Sequence, residues 1–184
     1  MKNIKLYIQE GFKIGKTKAK EYIEYKYFPK DRNELRKILT EIIIEDKNAD
    51  LNDIDVSKIT DMSKLFLFLD PHNIDISNWD VSNVKNMNFM FYKCDNFNSD
   101  ISDWDVSNVK DMSSMFSWCE NFEGKGLEKW NVSNVKDMED MFEFCVKFTN
   151  ENIKKWNIDN KKTNITNMFA GCTYLKNKPS WYKK

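Results

Sequence analysis

Four cysteines, Cys94, Cys119, Cys145 and Cys172, are the residues of this 184-residue chain best equipped for chemistry, as thiolate nucleophiles or as a tetrahedral zinc cage. Their spacing argues against both. The steps between them are 25, 26 and 27, and the tryptophans Trp79, Trp104, Trp130 and Trp156 are separated by 25, 26 and 26, with Trp181 following 25 later. Two residue types on one ruler mark an internal repeat. A stack of repeats sets one thiol per coil along a line, whereas zinc needs four ligands meeting at a point. Reduced, buried thiols are therefore expected, with no metal and no cofactor.

His72, the single histidine, lies in the turn Asp70-Pro71-His72-Asn73. A general base elsewhere would have to be a carboxylate, and none has a paired setting visible in the sequence. No catalytic residue is assigned. The run Gly11-Phe12-Lys13-Ile14-Gly15-Lys16-Thr17 approaches a phosphate-binding loop, but G-x-x-x-x-G-K-[ST] puts its first glycine where Glu10 stands. A carboxylate there repels phosphate, so a nucleotide-binding enzyme is only a second alternative.

Aligned on tryptophan, three consecutive units read W-D-V-S-N-V-K-N-M-N-F-M-F-Y-K-C from Trp79, W-D-V-S-N-V-K-D-M-S-S-M-F-S-W-C from Trp104, and W-N-V-S-N-V-K-D-M-E-D-M-F-E-F-C from Trp130. Degenerate copies begin at Ile54 and Trp156, as the ends of a stacked array require. The frame Ile101, Trp104, Val106, Val109 recurs in each full unit, and its two-residue step from Trp to Val predicts a short strand. Val109, Met112, Met115, Phe116 and Cys119 then follow at steps of three and four, which predicts a short helix. Ser82, Ser107 and Ser133 stand where its N-cap belongs, with Asp111 and Asp137 in its first turn.

The motif W-D-V-S-N-V-x-D-M-x-x-M-F-x-x-C-x-x-F resembles the BspA-like family of leucine-rich-repeat surface proteins, whose unit is also known as a mycoplasma lipoprotein-associated repeat of unknown function. The resemblance covers about residues 51 to 181. It implies a parallel solenoid and a role in binding or adhesion; surface members of the family usually carry export signals. Short proteins with a similar P-K-D-x-x-E-L segment, here Pro29 to Leu35, occur in gut bacteria and their phages, which implies a phage- or mobile-element-encoded protein acting on a host protein.

Residues 1–50 carry no repeat. Asp31 and Glu34 form a capping box ahead of Leu35, Ile38, Leu39, Ile42 and Ile43, predicting a helix of about 15 residues laid over the first coil. Ile4–Ile8 and Tyr22–Tyr27 alternate as strands do, with Gly11–Gly15 as the turn between them. The expected fold class is thus α/β: a leucine-rich-repeat-like solenoid of about five 25–26-residue coils over residues 51–184, with a small N-terminal α/β cap over 1–50.

Side chains between the inward positions should face out in rows. One row reads Asp55, Asp80, Asp105, Asn131, Asn157; its neighbour reads Asp53, Asn78, Asp103, Lys129, Lys155. Both pass from acidic to neutral or basic. Residues 53–105 hold four lysines against ten aspartates, net minus six, and residues 106–184 hold thirteen lysines against ten acids, net plus three. The alternatives are a solvated face whose Asp residues bond to the turn, and a partner-binding sheet face made of Asp53, Asp55, Asp80, Asp103, Asp105, Asn131, Lys129 and Lys155.

Over the whole chain 29 basic residues balance 29 acidic ones, which removes the bulk positive field of a nucleic-acid binder. No apolar run reaches the length of a membrane span, and the N-terminus turns polar before a signal-peptide core forms, so a cytoplasmic location is expected. The function read from the sequence is a non-enzymatic, protein-binding repeat module. An exported cell-surface adhesin is the alternative.

Overall fold

Where the backbone hydrogen bonds of one unit go decides its conformation. In the computed structural model, which describes residues 25–149 and 151–182, the segment expected to be helical divides its N–H groups between two targets. Met115, Ser117 and Cys119 donate to Met112, Ser114 and Phe116 of their own coil, at 3.2, 3.2 and 2.9 Å. Ser114, Phe116 and Trp118 donate across to Glu139, Met141 and Glu143 of the next coil, at 2.8, 3.0 and 2.7 Å. A helix sends every N–H to the fourth residue before it. This alternation instead builds a chain of tight turns, and it requires φ of 52° at Ser114 and 63° at Trp118. The same pair of left-handed residues recurs as Lys64 and Phe68, Phe89 and Lys93, Asp140 and Phe144, and Asn167 and Gly171.

The expected α/β solenoid is therefore corrected. Among the described residues there is no strand, and the helices are α1 (Arg32–Glu45) and two short 3-10 turns at Leu127–Lys129 and Glu151–Lys155. Parallel pairing is reduced to isolated bridges: Asp61, Asn86, Asp111, Asp137 and Asn164 form one ladder, with Asp50–Asp75 and Tyr27–Ile54 apart from it. The ladder falls at the step that reads Asp-Met or Asn-Met in most coils, and at the Trp-Asp-Val step there is one bridge among the described residues, Tyr27–Ile54. Trp104 and Val106 are both buried, as inward positions should be. Yet the Trp104 N–H bonds Ile101 at 3.4 Å and the Val109 N–H bonds Val106 at 3.0 Å, so the apolar ruler of three marks turn closures. Ser107 and Asp111 likewise belong to turns: the Ser113 N–H donates to the Asp111 side chain at 2.9 Å, in an Asx turn and not a helix start.

Stacking brings equivalent side chains into columns. Phe66, Phe91, Phe116, Phe142 and Phe169 stack face to face at 4.9, 5.6, 5.7 and 5.7 Å, and Trp79, Trp104 and Trp130 at 6.3 and 6.5 Å within 5° of parallel. Each indole Nε1–H also donates to the carbonyl of the coil before, Trp79 to Leu51, Trp104 to Ile76, Trp130 to Ile101 and Trp156 to Leu127, at 2.8 to 3.1 Å. A large ring is thus buried without orphaning its polar atom. The methionines of the repeat, Met87, Met90, Met112, Met115, Met138 and Met141, fill the same core.

The stack needs an end, and α1 supplies it. Asp31 caps the helix by accepting from the Asn33 and Glu34 N–H groups, and Glu34 accepts in return from the Lys30 N–H, at 2.8 to 3.0 Å. Leu35, Leu39 and Ile43 enter the same core as the coils. From the helix the Arg36 guanidinium donates to the carbonyls of Lys64, Leu65 and Leu67, at 2.6, 2.6 and 3.0 Å. Leu65 and Leu67 occupy the register of Met90 and Ser117, carbonyls that accept from the coil before, so one arginine replaces a missing coil. The strand expected at Tyr22–Tyr27 is described only from Tyr25, and Tyr27 makes a single bridge; Ile4–Ile8 and Gly11–Thr17 lie outside the described residues.

Two stability outcomes follow. Phe116→Ala, which opens the aromatic column at its centre, should cost about 3–5 kcal/mol in urea unfolding. Arg36→Ala should cost about 1.5–3 kcal/mol, the range for hydrogen bonds from a charged donor; a loss below 0.5 kcal/mol by the same measurement would show that the edge carbonyls do not need it.

Candidate binding surfaces

The cysteines form a column of their own. Cys94, Cys119, Cys145 and Cys172 are buried and unpaired, and each Sγ–H donates to the core phenylalanine of the preceding coil: to Phe66 at 3.2 Å, and to Phe91, Phe116 and Phe142 at 2.9 Å. Burial pushes every one of these thiols upward, Cys172 to about 12. A thiol held protonated near neutrality is a poor nucleophile. Among the described residues no three histidine, cysteine, aspartate or glutamate side chains gather as a metal site would need. His72 is half-buried, 4.0 Å from Asp70 Oδ2, with its backbone N–H on the Lys47 carbonyl. The phosphate-loop-like residues Gly11–Thr17 lie outside the described residues.

The outward rows are built on Asx turns. Asp55, Asp80, Asp105 and Asn131 accept through Oδ1 from the backbone N–H groups of Ser57, Ser82, Ser107 and Ser133, at 3.0 to 3.2 Å. The hydroxyls of Ser57, Ser82 and Ser133 add a second bond at 2.6 to 2.8 Å. Directly behind, Asn83, Asn108 and Asn134 donate Nδ2–H to the carbonyls of Ser57, Ser82 and Ser107 in the coil before, at 2.8 to 2.9 Å. Those amides hold the turns one over another, so the acids that cap them stand in register. Ser107 donors keep the Asp105 carboxyl below the usual carboxylate range. Hydrogen bonding to the charged form is what favours the ionised Asp105 in this line of aspartates. Asn157 leaves the pattern, because Asp159 stands where a serine would close the turn.

In the neighbouring row Asp53 is held by Lys26 at 2.8 Å, and Asp103 by Lys129 of the next coil at 3.0 Å. The change of sign along that row thus makes an ion pair inside it. Asn78 and Lys155 are exposed. Asp80, Asp105, Asn131 and Asn157 are the exposed members of the outer row, while Asp55 is half-buried. The expected sheet face is corrected to a face of stacked turns, since the rows carry no bridge.

Sequence reasoning missed another face. Two positions beyond the core phenylalanines come Phe68, Lys93, Trp118, Phe144 and Gly171, and Phe68 and Phe144 are among the exposed large apolar side chains. Trp118 packs on Phe144 at 4.2 Å, and Phe68 meets Tyr92 edge-on at 6.3 Å. The signal was available in the aligned units, in the two positions between Phe and Cys.

A family model described as Mycoplasma protein of unknown function, DUF285, matches residues 34–143 and residues 73–182. The chain belongs to the DUF285 family. The resemblance to a mycoplasma repeat of unknown function holds at that level. No curated protein and no solved structure matches this DUF285 chain. Among its described residues no helix is long and apolar enough to cross a membrane.

The thiol column can be checked directly. A disulfide reagent such as DTNB at pH 8 should leave all four cysteines of the native DUF285 chain unmodified and titrate four after unfolding; rapid native labelling would contradict the burial and upward shifts described above.

Proposed function

We propose that this DUF285 chain is a non-enzymatic, protein-binding module whose contact face includes Asp53, Asp55, Asp80, Asp103, Asp105, Asn131, Lys129 and Lys155. The observation that carries this reading is the Asx-turn row. Asp80 gives one carboxylate oxygen to the Ser82 N–H and hydroxyl, and Asp105 gives one to the Ser107 N–H, which leaves the second oxygen of each for a partner in successive coils. Groups so ordered lose little further freedom on contact, which favours recognition by a partner of matching pattern. The acidic end suits a basic patch and the Lys129–Lys155 end an acidic one, so the gradient also orients the partner.

No set of polar groups described above provides a nucleophile with its base, and that supports a binding role over catalysis. The BspA-like character of the W-D-V-S-N-V repeat supports the related reading of an adhesin displayed at the cell surface. Action inside the cell, on a host protein and from a phage or mobile element, is the reading taken here; cell fractionation separates the two.

Capture from a host lysate followed by mass spectrometry supplies the partner. Against that partner, Asp80→Lys combined with Asp105→Lys should weaken binding at least about tenfold and alter its salt dependence. Unchanged affinity and unchanged salt dependence would remove this face.

A further inference from the structure

The second surface goes beyond that reading. In the last coil the left-handed position after the core phenylalanine is Gly171, φ 74°, the residue this conformation favours. The four coils before it put Phe68, Lys93, Trp118 and Phe144 there, at 61°, 57°, 63° and 54°. The bonding between coils imposes this conformation, and bulky side chains are uncommon in it, so each is carried at a cost that glycine avoids. Phe68 is 67% exposed and Phe144 37%, so neither earns its place by filling the core.

The rings already hold cations. Lys93 places its ammonium 5.6 Å from the Tyr92 ring centre and 5.8 Å from that of Trp118, and Lys64 sits 5.7 Å from Phe89. Two positions beyond the ridge run Asp70, Asp95 and Glu120, one per coil. Burial raises the Asp95 carboxyl, and the fields of Asp70 and Glu120 raise it further, with Lys93 opposing them. Asp95 thus feels an acid from the coil on either side of it, beside an aromatic ridge in which one lysine stands.

We propose that the ridge of Phe68, Tyr92, Trp118 and Phe144, with Asp95 and Glu120 on its flank, docks an arginine- or lysine-bearing peptide segment of a partner protein. Phe144 stacks on one side of Trp118 and Lys93 lies over its ring, so an arriving guanidinium packs its plane against the apolar edges of the ridge while its N–H groups pair with the flanking carboxylates. An acidic segment meets repulsion from the flank, and an uncharged one leaves the carboxylates without a counter-charge.

The test uses the full chain and fluorescein-labelled hexa-arginine, followed by anisotropy, with labelled hexa-glutamate as comparison. Hexa-arginine should bind saturably, and more weakly as salt rises, while hexa-glutamate should not bind. Trp118→Ala combined with Phe144→Gly should weaken binding about tenfold or more, and Asp95→Asn combined with Glu120→Gln about fivefold. In a background of Asp80→Asn combined with Asp105→Asn, which removes the charge of the turn row, the loss caused by the ridge variants should persist to within about twofold. Phe68→Gly guards against misfolding: its backbone suits glycine, so the urea midpoint should hold or rise while binding falls. The proposal is overturned if hexa-arginine fails to saturate, if hexa-glutamate binds as well, or if the ridge variants bind normally. It is equally overturned if only the turn-row pair loses affinity, which would assign the binding to the other face.

Discussion

Register between coils is the constraint on which everything else in this molecule rests. Alternate N–H groups of each unit are satisfied only by the carbonyls of the next, so a coil cannot slip by one residue without orphaning them. Once register is fixed, like residues fall on like residues. Phenylalanine stacks on phenylalanine, indole on indole, and each indole N–H and thiol finds the carbonyl waiting one coil back. Cohesion therefore comes from the same few contacts repeated, and a fold with almost no regular secondary structure can still bury a continuous core.

The ends obey the same rule. Arg36 of α1 offers several N–H donors from one planar group to carbonyls on the first coil, a side-chain substitute for backbone. At the other end Trp181 continues the indole column, stacking on Trp156 at 6.5 Å and donating to Ile153 at 3.2 Å. Both are the internal pattern adapted to a boundary.

Much of this was legible in the sequence. The repeat, its period, the burial of Trp104, Val106, Met112, Phe116 and Cys119, and the capping box at Asp31 and Glu34 all follow from residue type and spacing. The conformation did not, because apolar residues at steps of three and four fit a helix and a chain of closed turns equally well. What separates them is where Ser114 and Trp118 send their N–H groups, a fact about the neighbouring coil. The aspartate row was readable as either a partner face or turn chemistry, and Asp105 is bonded within its own turn while remaining exposed. The ridge escaped because Phe68, Lys93, Trp118 and Phe144 share a backbone conformation and not a chemical type.

Asn131 accepts the same bonds from Ser133 that Asp80 accepts from Ser82. A carboxamide can therefore replace a carboxylate at these corners while the architecture stands unchanged. Electrostatic character on this flank is free to drift coil by coil, so descendants of one ancestral scaffold could diverge in which molecules they attract while keeping a common interior.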